Sequence, residues 1–306
     1  MPSPLAGRTV GLIGLGLMGR PMARVLAAAG ARVVGHNRSP GPMAEMAAEG
    51  MATAATPADL AARLDPADPV AILMLTDTPA VETVAGVLLP ALPAGALVID
   101  MSTTAVDATR RLAAQAAGTG VDWLDAPVSG GTVAARAGTL TIMAGGSESA
   151  FARALPLFQV LGQRITHVGD SGAGQVAKTA NQVIVGLTIG AVAEALALAR
   201  AAGVDPARVR DAIRGGFAES RILDLHGGRM VSGDFTPGAR ATVQLKDLRQ
   251  ALALAGQAGQ EVPAVELCRR LYERLVDRGD GGLDHAALYR LFDGSTAETG
   301  SEPEKR

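Results

Sequence analysis

The chain has 306 residues, 48% of them hydrophobic and 19% charged, which is enough apolar material for two packed cores and excludes a disordered or fibrous protein. Its formal net charge is -2 with no Lys/Arg-rich run, so the electrostatic footprint of a nucleic-acid binder is missing and a small molecule is the expected partner. Cys268 is the single cysteine and cannot form an internal disulfide. The histidines, His36, His167, His226 and His285, stand far apart without metal-ligand spacing, so the expectation is a reducing cytoplasm and no metal site.

Met1-Pro2-Ser3-Pro4 lacks a basic region followed by a long apolar run and does not read as a signal peptide. From Arg8 to about Gly169, short apolar runs alternate with helix-like segments, the sign of parallel strands joined by crossover helices. Strands are expected at Thr9-Ile13, Arg32-Gly35, Val70-Leu75, Leu97-Asp100, Val121-Asp125, Leu140-Ala144 and Ile165-Val168. Between them, alanine-rich stretches starting near Met18, Pro57, Pro79, Ala105 and Ser147 are long enough for helices. After Gly174 the strand signals stop. A helical run from Gln175 to Ala202 closes at Gly203 and the Asp205-Pro206 turn. Its most apolar stretch, Val183 to Ala193, is bracketed by Lys178, Asn181 and Glu194 and is shorter than the ~20 residues a bilayer requires, so a buried helix and no membrane are expected. More helices are expected at Ala207-Arg214, Glu219-Met230, Ala241-Ala258, Val265-Arg278 and Asp284-Phe292. The fold class is α/β plus all-α. A mostly parallel sheet domain spans residues 1–169, an all-α domain 170–293 joined by the long helix, and a polar tail 294–306 that is expected to be disordered.

Five strings carry chemistry. Gly14-Leu15-Gly16-Leu17-Met18-Gly19 follows an apolar strand and opens an amphipathic helix, the context in which such a string cradles a dinucleotide pyrophosphate. At the end of the second strand, where an NAD site places an acid for the ribose 2'-hydroxyl, stand His36-Asn37-Arg38-Ser39. Arg38 reads as a partner for a 2'-phosphate, helped by Asn37 and Ser39, or as a solvated surface cation; the missing acid favours NADP over NAD. Asp125-Ala126-Pro127-Val128-Ser129-Gly130-Gly131 ends another strand, and Ser129 with the following glycine N–H groups reads either as a carboxylate-sized anion site or as a plain loop. Asp100-Met101-Ser102-Thr103 could line the same crevice or cap a helix. On the long helix, Lys178 lies three residues before Asn181 and four before Gln182, on one face. It reads as a catalytic lysine or one that snorkels to water. Finally, Lys246-Asp247 reads as a site or as a salt-bridge pair on a solvated face.

Lysine usage separates some of these. Of 28 basic residues only Lys178, Lys246 and Lys305 are lysines, and Lys305 sits in the tail. Arginine cannot release a proton near neutral pH and lysine can, so the two internal lysines read either as chance or as places where proton transfer or tight geometry matters.

In this order the strings resemble the β-hydroxyacid dehydrogenase family over Arg8 to about Asp293, with Gly138-Thr139-Leu140 and Lys246-Asp247 among the matching residues. Asn181-Gln182-Val183-Ile184-Val185, Ala212-Ile213-Arg214-Gly215-Gly216 and Asp284-His285-Ala286-Ala287-Leu288 resemble the branch that reduces 2-hydroxy-3-oxopropionate. The resemblance implies an N-terminal Rossmann domain, a helical domain for dimerisation and substrate closure, and a homodimer or homotetramer. It implies Lys178 as acid/base, Asn181 orienting the substrate, and Ser129, Gly130, Gly131 and Lys246 binding it. Cofactor contacts are implied at Gly14, Gly16, Leu17, Met18, Asn37, Arg38, Ser39, Leu75, Thr103 and Lys246. The implied activity is NADPH-dependent reduction of a small carboxylate-bearing semialdehyde. Alternatives are a 3-hydroxyisobutyrate dehydrogenase, a glyoxylate/succinic semialdehyde reductase, or a cofactor-binding scaffold without turnover. Imine reductases share the scaffold without this lysine. Two positions depart from the branch: Ala239 replaces an aromatic before Arg240, and Gln244 replaces a histidine.

Overall fold

The computed structural model describes residues 3–294; the tail expected to be disordered lies, from residue 295 on, outside the described residues. The chain divides into two compact units, the first running to Lys178 and the second starting at Thr179.

In the first unit the strands are β1 (Thr9–Ile13), β2 (Arg32–His36), β3 (Ala52–Thr53), β4 (Val70–Leu73), β5 (Leu97–Asp100), β6 (Asp122–Asp125), β7 (Val128–Ser129), β8 (Leu140–Gly145) and β9 (Gly162–Gly169). They form one sheet in which β3-β2-β1-β4-β5-β6 are all parallel. Beyond β6 the direction reverses: β8 runs antiparallel to β6 and β7 and parallel to β9. Alternate residues feed two cores. Val10, Leu12, Val33, Val70, Ile72, Leu97 and Ile99 join one cluster, and Ile13, Val34, Ala71, Leu73 and Val98 the other. That two-sided burial explains why these strands read as unbroken apolar runs.

The helices of this unit are α1 (Gly19–Ala28), α2 (Pro40–Ala48), α3 (Pro57–Ala61), α4 (Thr78–Leu88), α5 (Val106–Ala117), α6 (Gly131–Ala137), which links the antiparallel β7 and β8, and α7 (Glu148–Leu161). Local chemistry sets several starts: Thr56 accepts from the Asp59 N–H, Asp77 from Ala80 and Ser147 from Ala150, with proline in the first turn of α3 and α4.

The helix α8 (Ala173–Ala201) begins in the first unit and supplies Ile189, Val192, Ala193, Leu196 and Ala197 to the core of the second. That unit adds α9 (Pro206–Ile213), α10 (Arg221–Ser232), α11 (Ala241–Ala258) and α12 (Pro263–Asp277). The segment expected as a helix at Asp284-Phe292 is instead a 3-10 helix, His285–Leu291, capped by Asp284 through the Ala286 N–H. A second correction concerns α8. By length and composition it could cross a bilayer, because its 29 residues hold an 18-residue window of mean hydropathy 1.9, although only 39% of that window is buried. The sequence argument stopped the run at Glu194, but Ala195, Leu196, Ala197, Leu198 and Ala199 continue it beyond that single charge.

Candidate active site

The turn from β1 into α1 lies where the strand order reverses, between β1 and β4, the point at which open α/β sheets bind ligands. Its three glycines serve different ends. A Cβ on Gly14, whose φ is +101°, would lie 2.2 Å from the Met74 carbonyl oxygen, and one on Gly19 would lie 1.8 Å from that of Gly14. Both are required by the fold. A Cβ on Gly16 would meet nothing within 4 Å, so the space kept free there faces outward. Met18, at the N-cap of α1, offers no side-chain cap to the first turn. An open approach in front of a helix start that no side chain caps fits a pyrophosphate.

Beside this turn, the Asn37 side chain accepts a hydrogen bond from the Leu15 N–H (3.0 Å) and donates to the Ser39 carbonyl (3.0 Å). Its oxygen is therefore committed to bracing the glycine turn, which leaves one amide hydrogen to offer a ligand. Arg38 and Ser39 are exposed beyond it, and Leu17 is exposed at the turn.

At the ends of β5 and β6, Asp100 and Asp125 are cross-strand partners, and both are fully buried. Asp100 accepts from the Ser102 N–H (3.0 Å) and the Thr104 hydroxyl (3.3 Å). Burial, with the Asp125 charge adding to it, pushes its carboxyl up to about 7 against the pull of these bonds. Asp125 accepts from the N–H groups of Gly172 (2.7 Å) and Gln175 (2.9 Å), where α8 starts. Burial raises its carboxyl too, and those N–H bonds oppose the shift. The Ser102 hydroxyl accepts from the Leu75 N–H (2.9 Å), which ties the turn after β5 to the one after β4, while Thr103 is half-buried between two buried neighbours. Asp100 is thus a turn former, and no side chain caps α5.

Ser129 lies half-buried on β7, opposite Thr141, and Gly130 and Gly131 follow with φ of +127° and +64° at the start of α6. Lys178 is 8% exposed in the second turn of α8. The residues expected to matter therefore fall in the first unit, except Asn181 and Lys246, which belong to the second. In that unit Asn181 donates to the Gln182 side chain (2.9 Å), Gln182 donates to Asp247, and Asp247 pairs with Lys246 (3.0 Å). The Lys246-Asp247 pair is real but not on a solvated face, since Asp247 is buried.

Comparison with known proteins bears on both halves. Residues 9–169 match the family described as the NAD binding domain of 6-phosphogluconate dehydrogenase, and residues 172–292 that described as the NAD-binding domain of NADP-dependent 3-hydroxyisobutyrate dehydrogenase. The chain is 43% identical to 2-hydroxy-3-oxopropionate reductase of Escherichia coli (strain K12), over 93% of its own length and 97% of that protein's. It belongs to the β-hydroxyacid dehydrogenase family. It is also 36% identical to the 3-hydroxyisobutyrate dehydrogenase of Pseudomonas aeruginosa, over 93% of this chain and 98% of that one. The solved structure of Mycobacterium tuberculosis 3-hydroxyisobutyrate dehydrogenase with L-serine superposes with a TM-score of 0.86 at 31% identity, covering 93% of this chain and 98% of that one. As a β-hydroxyacid dehydrogenase the protein is an NAD(P)-dependent oxidoreductase acting on CH-OH groups.

Two readings of this dehydrogenase need adjusting. Gln244, which departs from the branch pattern, is 1% exposed, donates to the Gln182 carbonyl (3.0 Å) and fills the space left by Gly186, so it serves helix packing in the second unit. The histidines are not all apart: the rings of His226 and His285 meet edge to face at 4.5 Å, and one ligand atom from each lies within 4.8 Å of an Asp284 oxygen. Folding joins what 59 residues of sequence separate (285 − 226). Asp284 already accepts from the N–H groups of Gly238 (2.9 Å), Ala239 (3.2 Å) and Ala286 (3.1 Å) and pairs with Arg229 (2.7 Å). Burial pushes its carboxyl up, but the His226 and His285 rings, and after them the Ala286 and Gly238 N–H bonds, hold it well below the usual range. The cluster pins the Gly238-Ala239 segment to the 3-10 helix.

Proposed function

We propose that the protein reduces 2-hydroxy-3-oxopropionate to glycerate with NADPH, Lys178 acting as general acid. The observation that carries this reading is a lysine only 8% exposed, on a helix whose first turn is bonded to the carboxyl ends of β5 and β6, in a chain that otherwise uses arginine. The Gly14, Gly16, Leu17 and Met18 turn would hold the cofactor pyrophosphate, Arg38 and Ser39 its 2'-phosphate, and Leu75, Thr103 and Lys246 would border the nicotinamide, which supplies the hydride. As negative charge grows on the substrate carbonyl oxygen, the Lys178 ammonium stabilises it and delivers the proton, an effect of ~10²–10⁴ in rate. In the reverse direction neutral Lys178 takes the alcohol proton. The Ser129 hydroxyl and the Gly130 and Gly131 N–H groups receive the carboxylate, and Asn181 orients the C2 hydroxyl.

NADPH is favoured by the exposed Arg38 where an NAD site has an acid, and the family matched by residues 172–292 is described by an NADP-dependent 3-hydroxyisobutyrate dehydrogenase. A homodimer or homotetramer is supported by α8, where Ala180, Ile184, Ala191, Ala195 and Leu198 form an exposed stripe of small and apolar residues at helical spacing. Sedimentation as a monomer at micromolar concentration would remove that part. A cytoplasmic setting suits Cys268, a buried thiol that burial pushes up to about 11.

The 3-hydroxyisobutyrate reading is kept by Ala239, half-buried where the branch has an aromatic, because a small side chain near the substrate would admit a methyl branch. NADPH oxidation with 2-hydroxy-3-oxopropionate, malonate semialdehyde and methylmalonate semialdehyde separates the two. A site that bonds the C2 hydroxyl prefers the first over the second, and equal kcat/KM for both transfers the assignment to the second reading. Lys178→Ala should lose at least ~10²-fold in single-turnover rate while still binding cofactor. A rate within a few-fold of the wild type means Lys178 is not the acid.

A further inference from the structure

Gln175 is 0% exposed, one helical turn before Lys178, and none of its polar groups is idle. Its backbone N–H donates to Asp125 (2.9 Å), its side-chain oxygen accepts from the Thr104 N–H (3.1 Å), and its side-chain nitrogen donates to the Ser102 carbonyl (2.9 Å). One residue therefore joins α8 to the end of β6 and to both sides of Thr103. The start of α8 abuts the strand ends, because a Cβ on Gly174 would lie 2.4 Å from the Met143 carbonyl oxygen and 2.7 Å from that of Asp125. The turn it grips is held from the other side by the Leu75 N–H on Ser102.

Nothing in this arrangement is needed merely to close the helix. Gly172 and Gln175 already give their N–H groups to Asp125, whereas the Gln175 side chain reaches away from its own helix to a separate turn. Residues three apart on a helix sit on neighbouring faces about 4.5 Å along the axis, so an anchor at 175 fixes both rotation and rise at 178. Catalysis is sensitive at that scale, since a misplacement of about 1 Å can cost ~10²-fold.

We propose that Gln175 is a positioning residue that sets the separation between Lys178 and Thr103 by clamping the first turn of α8 to the Ser102–Thr104 turn. The proposal rests on the reading of Lys178 as the acid, with Thr103 beside the nicotinamide. Its side chain touches no reacting atom; it acts only through its neighbours.

The test uses Gln175→Met, which keeps the volume and removes both side-chain bonds, with Gln175→Ala and Lys178→Ala beside it. Rates with NADPH and 2-hydroxy-3-oxopropionate are divided by the fraction of sites that bind NADPH in a fluorescence titration, so that misfolded protein does not count. Gln175→Met should lose about 10-fold or more in kcat per competent site, with a larger deuterium isotope effect from 4-deuterated NADPH as hydride transfer becomes rate-limiting. A purely structural residue would lower the competent fraction and leave the isotope effect alone. If neither variant folds, amide exchange in the unmodified protein decides: the Thr104 N–H should exchange as slowly as the interior amides of α8, and exchange at loop rates overturns the clamp. If Lys178→Ala is inactive while Gln175→Met keeps both kcat and isotope effect, only this proposal fails. If Lys178→Ala retains its rate, the reading beneath it fails as well.

Discussion

Asp100 offers a stability measurement whose sign and size follow from the structure. Its carboxyl is fully buried and pushed from the usual 3.8 up to about 7. Between those values the folded protein keeps a proton that the unfolded chain releases, so stability falls as pH rises, by about 1.4 kcal/mol per unit. Above about 7 the folded carboxyl ionises as well and the penalty stays constant at roughly 4 kcal/mol. Asp100→Asn removes the titration while keeping an oxygen for the Ser102 N–H and an amide donor for the Thr104 or Ser102 hydroxyl, much as the protonated acid does. Urea unfolding without cofactor at pH 5.5 and 8 is the assay, since bound ligand would add its own linkage. The variant should gain on the wild type by about 2 kcal/mol between the two pH values, because some 1.5 units of the window lie above 5.5. A difference that stays constant within ~0.5 kcal/mol would show that no proton leaves Asp100 in this range and that the turn tolerates its charge.

The same buried turn shows where sequence reading succeeds and where it stops. The parallel strands β1, β5 and β6 were legible because both faces are buried, and α3, α4 and α7 because a capping side chain or proline marks each start. The helix α2 was not, because Pro40-Gly41-Pro42 looks like a loop; proline is comfortable in a first turn, and only tertiary packing shows that the turn continues. The two-residue strands β3 and β7 have no periodicity to read. Within the proposed site, the glycine turn, Arg38, Ser129 and Lys178 were proposed from residue type and spacing alone. Gln175 did not, for a glutamine in a helix carries no signal until the fold brings Ser102 and Thr104, more than 70 residues earlier, against it. The pairing of Asp100 with Asp125 was hidden for the same reason: their opposition is a matter of strand register.

Two further outcomes follow. Arg38→Asp replaces an exposed cation beyond β2 with the charge that a 2'-phosphate avoids, so it should invert the cofactor preference by on the order of 10²-fold in kcat/KM, less at high salt. Equal wild-type affinity for NADPH and NADH in a titration would overturn the assignment. The glycine turn allows a sharper comparison, because two glycines two residues apart should fail differently. Gly14→Ala forces a side chain into φ +101° and to 2.2 Å from a backbone oxygen, so the loss is one of folding: about 1–2 kcal/mol from the dihedral alone, and more from displacing Met74. Gly16→Ala meets open space at an ordinary φ, so urea unfolding should match the wild type while NADPH binding weakens at least 10-fold, the methyl group standing where the pyrophosphate approaches. If Gly16→Ala binds NADPH normally, the space in front of the turn is not the phosphate site. If it unfolds as readily as Gly14→Ala, the glycine serves the fold and the distinction drawn from the two environments is wrong.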